Sequence, residues 1–221
     1  KDQFLVALDA YTGKKLWEQP IDTADGTVVF YMMATEHGLV IESSTNGKYH
    51  LYNHNLKTGK QQWETVNNWP SDNHSGHMQH PVAVNDRLFL EPSAFDLKTG
   101  KKVIDQIGKR SGCHTYVGTK DALIYRGNGR QIAMWGQETQ KTTTWNRLRP
   151  SCWLSVVPAA GMLLVPEGGG GCSCGGWMET SLAFRLVYQN PTRTLTDREV
   201  DIAQAQLLEK MERETGAVLR G

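Results

Sequence analysis

The sequence predicts an all-β protein: an open, partial β-propeller of about four blades with a C-terminal strand–helix–strand appendage. Two observations carry this. A turn phrase recurs at intervals near 40 residues with a strand pattern on each side of it. Beyond "RTLTD" the pattern changes to a capped amphipathic helix. The change falls within "TSLAFRLVYQNPTRTLTDREV", residues 180–200.

The repeated phrase appears as "LDAYTGKKLWE", "HNLKTGKQQWE" and "AFDLKTGKKVI", with glycines Gly13, Gly59 and Gly100 spaced 46 and 41 apart. A worn fourth copy, "GQETQKTTTW", puts Thr139 40 residues beyond Thr99, with Trp145 one place late. In the first copy the alternation of "FLVALD" gives a strand, and Asp9, like Asp96 later, can accept from turn amides. Thr-Gly-Lys then reverses the chain, glycine being free to take positive φ. Trp17 and Trp63 open the strand that follows and are expected to fill the gap between blades.

The remaining strands keep the same period. "GLVIES", "RLFLEP", "ALIYRG" and "GMLLVPE" read as second strands, and "TVVFYMMA", "MQHPVAV", "CHTYVGT" and "CWLSVVP" as the inner strands before them. Cys113 and Cys152, 39 apart, then take equivalent places in successive blades. Four partial blades leave an open edge, which argues for a fragment of a larger ring.

In the tail, Thr196 with Glu199 three residues on makes a capping box. Val200, Ala203, Leu207 and Met211, with Leu208 beside them, form a stripe at helical spacing. Gly216 ends the helix and "AVLR" can form one more strand. Such a helix is expected to cover an exposed blade face.

Composition agrees. The chain has 221 residues, room for one or two domains, and a net charge of +1, which gives no bulk attraction for nucleic acid or an acidic membrane. No apolar run approaches the roughly 20 residues of a membrane helix. Twenty-two glycines, seven tryptophans and seven tyrosines suit β-structure with many tight turns. The first residue is Lys1, with no signal-peptide pattern after it, and is read as a cut end.

The D-x-x-T-G-K-x-x-W phrase resembles the repeat of quinoprotein-type (PQQ-like) β-propellers over residues 1–184. The stretch "RPSCWLSVVPAAGMLLVPEGGGGCSCGGWMETSLAF" resembles the closing blades of a non-catalytic, planctomycete-type group of that family, where an arginine, a Ser/Gly-Cys-Trp, a small-residue turn and a Cys-x-Cys recur in this order. From Ser181 to Gly221, "SLAFRL", "RTLTDREV" and "GAVLRG" resemble the end of the phenylalanyl-tRNA synthetase β chain. That resemblance implies the second half of a ferredoxin-like anticodon-binding domain. The chain therefore reads as a chimera of a propeller segment, 1–184, and a tail, 185–221, joined within residues 180–184.

Several groups could carry chemistry. Quinone-dependent dehydrogenases of the resembled fold need a closed propeller, a Ca²⁺ site and an aspartate base, and the alcohol dehydrogenases among them an adjacent cysteine pair. Cys172-Ser-Cys174 is not adjacent, so no cofactor is expected. The four cysteines, Cys113, Cys152, Cys172 and Cys174, are an even set suited to disulfides outside the cytoplasm, with Cys113–Cys152 the most natural pair. Zinc is the alternative, without the C-x-x-C spacing of zinc knuckles. "NHSGHMQH" sets His74, His77 and His80 three apart, a weak metal candidate in a Ser/Gly/Asn/Pro-rich connection. "PEGGGGCSCGGW" lacks the Lys-Ser/Thr of a phosphate loop and reads as a connector.

The expected function is a non-catalytic scaffold or binding surface, periplasmic or secreted, with a protein partner or further blades. The competing readings are a quinoprotein oxidoreductase fragment and a tRNA-binding synthetase fragment. Neither a membrane nor a nucleic acid is an expected partner.

Overall fold

The computed structural model describes residues 3–21, 29–45, 47–69, 79–112, 114–128, 131–145, 156–159, 162–165, 193 and 195–215. A first sheet pairs β1 (Phe4–Leu8) with β2 (Lys15–Pro20). The second holds β3 (Val29–Thr35), β4 (Gly38–Thr45), β5 (Lys48–His54) and β6 (Gln61–Asn68). The third holds β7 (Val82–Val84), β8 (Arg87–Leu90), β9 (Ser93–Asp96) and β10 (Lys102–Ile104). The fourth holds β11 (Val117–Gly118), β12 (Ala122–Arg126), β13 (Ile132–Gly136) and β14 (Thr142–Trp145). The last pairs β15 (Val157–Ala159) with β16 (Met162–Leu164). Each four-stranded sheet is an antiparallel meander of sequence neighbours, the form of a propeller blade. The fold is an all-β partial propeller with one helix among the described residues, α1 (Asp197–Thr215). Two compact units divide the chain, Lys1–Pro158 with Leu164–Leu182, and Ala159–Leu163 with Ala183–Gly221.

Four turns share one hydrogen-bond pattern. Asp9, Asn55, Asp96 and Gly136 each donate their amide to the carbonyl five residues on, at 2.8 to 3.0 Å, and accept at their own carbonyl from Gly13, Gly59, Gly100 and Gln140. In the first three turns the leading side chain adds a second ring of bonds. Asp9 Oδ1 accepts from the Thr12 amide at 2.7 Å and its hydroxyl at 2.8 Å. Asp96 Oδ1 accepts the same pair from Thr99 at 2.8 and 2.7 Å, and Asn55 Oδ1 takes the Thr58 amide at 3.1 Å. These bonds hold the Asp9 and Asp96 carboxyls below their usual pKa. The glycines sit at φ near 70°, and Gln140 keeps the same left-handed backbone at φ 51° without a glycine.

Each tryptophan docks on the turn of the next blade. Trp17 Nε1 donates to the Leu56 carbonyl at 2.9 Å, and Trp63 Nε1 to the Leu97 carbonyl at 3.0 Å. The rings lie so close that a Cβ on Gly59 would fall 2.5 Å from Trp17 Cε3, and one on Gly100 2.6 Å from Trp63 Cε3. Among the described residues, nothing lies within 4 Å of that position on Gly13. In the third copy Ile104 takes the tryptophan's place and packs instead with Phe89, Ile107 and Tyr116. The fourth turn thus meets no ring from Ile104, which is why a glutamine can replace glycine there.

Alternate faces of the strands fill the gaps between sheets, the reason β4 is buried or half-buried along its whole length. Ile41 packs with Leu5 and Tyr52 toward the first sheet. Val40, Tyr49, Leu51 and Trp63 pack with Leu88, Leu90, Phe95 and Leu97 between the second and third. Phe89 and Ala94 meet Leu123, Tyr125 and Trp135 between the third and fourth. Near the first strands the sheets converge, and a Cβ on Gly118 would strike Val84 Cγ2 at 2.3 Å. Turns also reach across sheets: His37 Nε2 lies 2.7 Å from Asp86 Oδ1, and Asn85 Nδ2 donates to the Lys120 carbonyl at 3.2 Å. The inner strands are shorter than their sequence patterns: β7 is three residues and β11 two. Among the described residues each has a ladder partner on one side only, so its ends are held by little.

The helix starts with a variation on the capping box. The Thr196 amide donates to Glu199 Oε2 at 3.0 Å, but the Thr196 hydroxyl also donates to that oxygen, at 2.9 Å, instead of accepting the Glu199 amide. The Glu199 amide bonds the Thr196 carbonyl at 3.0 Å. Arg193 supplies the reason: its guanidinium forks onto the Glu199 carboxylate, keeping it an ionised and strong acceptor. Val200, Ala203 and Leu207 are the half-buried stripe, while Ile202 is exposed. The side chains of Leu208 and Met211, and the strand expected after Gly216, lie outside the described residues.

Two outcomes check this. Gly13→Ala incurs only the left-handed backbone cost, about 1 kcal/mol. Gly100→Ala adds the collision with Trp63 and costs about 3 kcal/mol, the difference being read by urea denaturation of the two variants. For the helix, Arg193 hydrogen bonding is the main reason the Glu199 carboxyl titrates below its ordinary value of 4.5. A depressed folded pKa stabilises above that ordinary value and is lost as pH falls below it. Helical circular dichroism should therefore decline below pH 4.5, and Glu199→Gln should remove that acid step.

Candidate functional site

A buried polar layer lies between the second and third sheets. Register sets Tyr31 opposite Glu42 and Glu42 opposite Leu51, so all three share a face. Glu42 is fully buried, and among the described residues neither carboxylate oxygen has a hydrogen-bond partner. Burial alone pushes its pKa up to about 9, so it is a neutral acid at pH 7. The His80 ring lies 3.9 Å from that of Tyr31, and burial lowers the His80 pKa, which keeps the imidazole neutral. Further along, Arg110 Nε sits 3.0 Å from Glu91 Oε2, and the Arg110 amide donates to Glu91 Oε1 at 3.0 Å. Both side chains are out of solvent. Burial raises the Glu91 pKa and Arg110 opposes it. Tyr116, whose hydroxyl donates to the Gly108 carbonyl at 2.6 Å, belongs to the core between the third and fourth sheets. No substrate atom can reach Glu42 while it is covered, so in this conformation its proton is held rather than transferred.

At the surface, Glu36, His37 and Asp86 bring three possible metal ligands within 4.8 Å of one another. Lys98 Nζ already lies 3.3 Å from Asp86 Oδ2, and the hydrogen bonds from His37 and Lys98 lower the Asp86 pKa. A cation would compete with that lysine. The cluster joins the β3–β4 turn to the β7–β8 turn, which explains it as a link between blades.

The third feature is apolar. A groove of about 780 Å³ runs beside β1, lined by Phe4, Val6, Trp17, Phe30, Met32 and Leu56 among others. Phe30, Met32, Val6 and Phe4 are 38 to 60 % exposed. β1 and β2 flank the first turn as β5 and β6 flank the second, so they correspond to third and fourth strands. Among the described residues no first or second strand stands beside them to cover β3.

The repeat residues Asp9, Gly13, Trp17, Gly59, Trp63, Asp96 and Gly100 are joined by the turns and docked rings described above. Asn55 belongs with them; its kinship to Asp9 and Asp96 was legible in the aligned phrase. Of the histidine trio, His80 stacks on Tyr31, while His74 and His77 lie outside the described residues, as do Cys113, Cys152, Cys172 and Cys174. Glu42, Glu91 and Arg110 carry no sequence signal, because partners far apart in the chain bury them.

The blades and the docked turns define a β-propeller body. Among solved structures, BamB from Moraxella catarrhalis, a β-propeller protein, is similar with a TM-score of 0.52 and 18 % identity, over 72 % of this chain and 51 % of that one. This likeness is one of fold, and the chain spans about half of that propeller's length. Residues 176–220 match the ferredoxin-fold anticodon binding domain family. The phenylalanine–tRNA ligase β subunit of Halalkalibacterium halodurans is 56 % identical over 41 residues, and that of Dehalococcoides mccartyi 52 % over 40. The matches cover 19 % and 18 % of this chain and 5 % of each ligase subunit.

Glu42 provides the check. Its unfolded carboxyl titrates near 4.5 and its folded one near 9, so folding takes up a proton between those values and stability falls as pH rises through them. Glu42→Gln keeps the shape without the charge and should stabilise by about 3 kcal/mol at pH 7. Near pH 4 the two proteins should be equally stable. Chemical denaturation at the two pH values measures both.

Proposed function

We propose that this chain is a non-catalytic, PQQ-like propeller segment that works as a scaffold, and that its binding surface is the groove beside β1. The exposed apolar lining of that groove next to an open strand edge carries the reading. A partner polypeptide would add an extended strand to β1 while seating apolar side chains over Phe30 and Met32. The planctomycete-type subgroup, an extracytoplasmic location and disulfides among Cys113, Cys152, Cys172 and Cys174 belong to the same reading. They rest on the sequence resemblance.

The chain is also read as a chimera, with a propeller part over 1–184 and a synthetase-like tail over 185–221. Support comes from two unlike similarities, one of fold over most of the chain and one of sequence at 176–220. The same tail favours a second reading, a tRNA-binding fragment. Against it, α1 carries six carboxylates (Asp197, Glu199, Asp201, Glu209, Glu212, Glu214) and three bases (Arg198, Lys210, Arg213), the wrong balance for a phosphate backbone.

A short, end-capped peptide of alternating valine and threonine serves as a probe. Trp17 lines the groove, so its fluorescence should shift to the blue and saturate as the peptide binds. Met32→Glu should weaken binding about tenfold or more, a charge having been placed in an apolar contact. An unchanged spectrum across the titration would remove the groove as a binding surface.

A further inference from the structure

We draw no further inference here: the strongest candidate, the apolar groove beside β1 that Phe30 and Met32 line, carries nothing beyond the scaffold reading because nothing in the structure shows what covers it.

Discussion

The contact between a tryptophan ring and the glycine turn of the following blade is the constraint that orders this molecule. It couples two requirements at one residue. Gly59 and Gly100 must be glycine because the backbone is left-handed there, and again because an indole occupies the space of a Cβ. The indole nitrogen bonds a carbonyl of the same turn, so ring position and turn geometry fix one another. Sheets that would otherwise slide on apolar faces are thereby held at a set offset. Where the tryptophan becomes Ile104, the next turn relaxes its demand and accepts Gln140.

This linkage makes the body modular, with each sheet depending on its neighbours for cover. Where sheets cover one another's faces, polar groups are trapped with the apolar ones. Glu91 and Arg110 form an ion pair out of solvent, an arrangement whose worth lies in not being broken. Glu42 has no such partner and keeps its proton. It sits where a catalytic acid would have the right protonation state, but full burial denies it a substrate. The apolar groove is the opposite case: open to solvent, with no charge to direct chemistry, and bounded by an edge made for pairing. The proposed role as a binding surface draws on that contrast.

The tail obeys different physics. α1 is fixed at its start by contacts among Arg193, Thr196 and Glu199, and its charge is acidic. Its sequence matches lie at 176–220, against a fold likeness that spans most of the chain. The proposed junction would be tolerable because a blade repeat needs only nearest neighbours, so unlike sequence can follow without disturbing sheets further back.

The period of the turns, the identity of the strands beside them and the start of the helix were legible in the sequence by itself. Each is decided by residues within about five positions: Asp9 with Thr12, Asp96 with Thr99, Thr196 with Glu199. Even Asn55 stood in the aligned phrase. Only the tertiary structure decided that His80 lies on Tyr31, that Arg110 meets Glu91, that Glu42 is sealed, and that Met32 is not. Those outcomes depend on which sheet comes to lie against which face. A strand's alternation says that two faces exist; it does not say which of them a neighbour will cover.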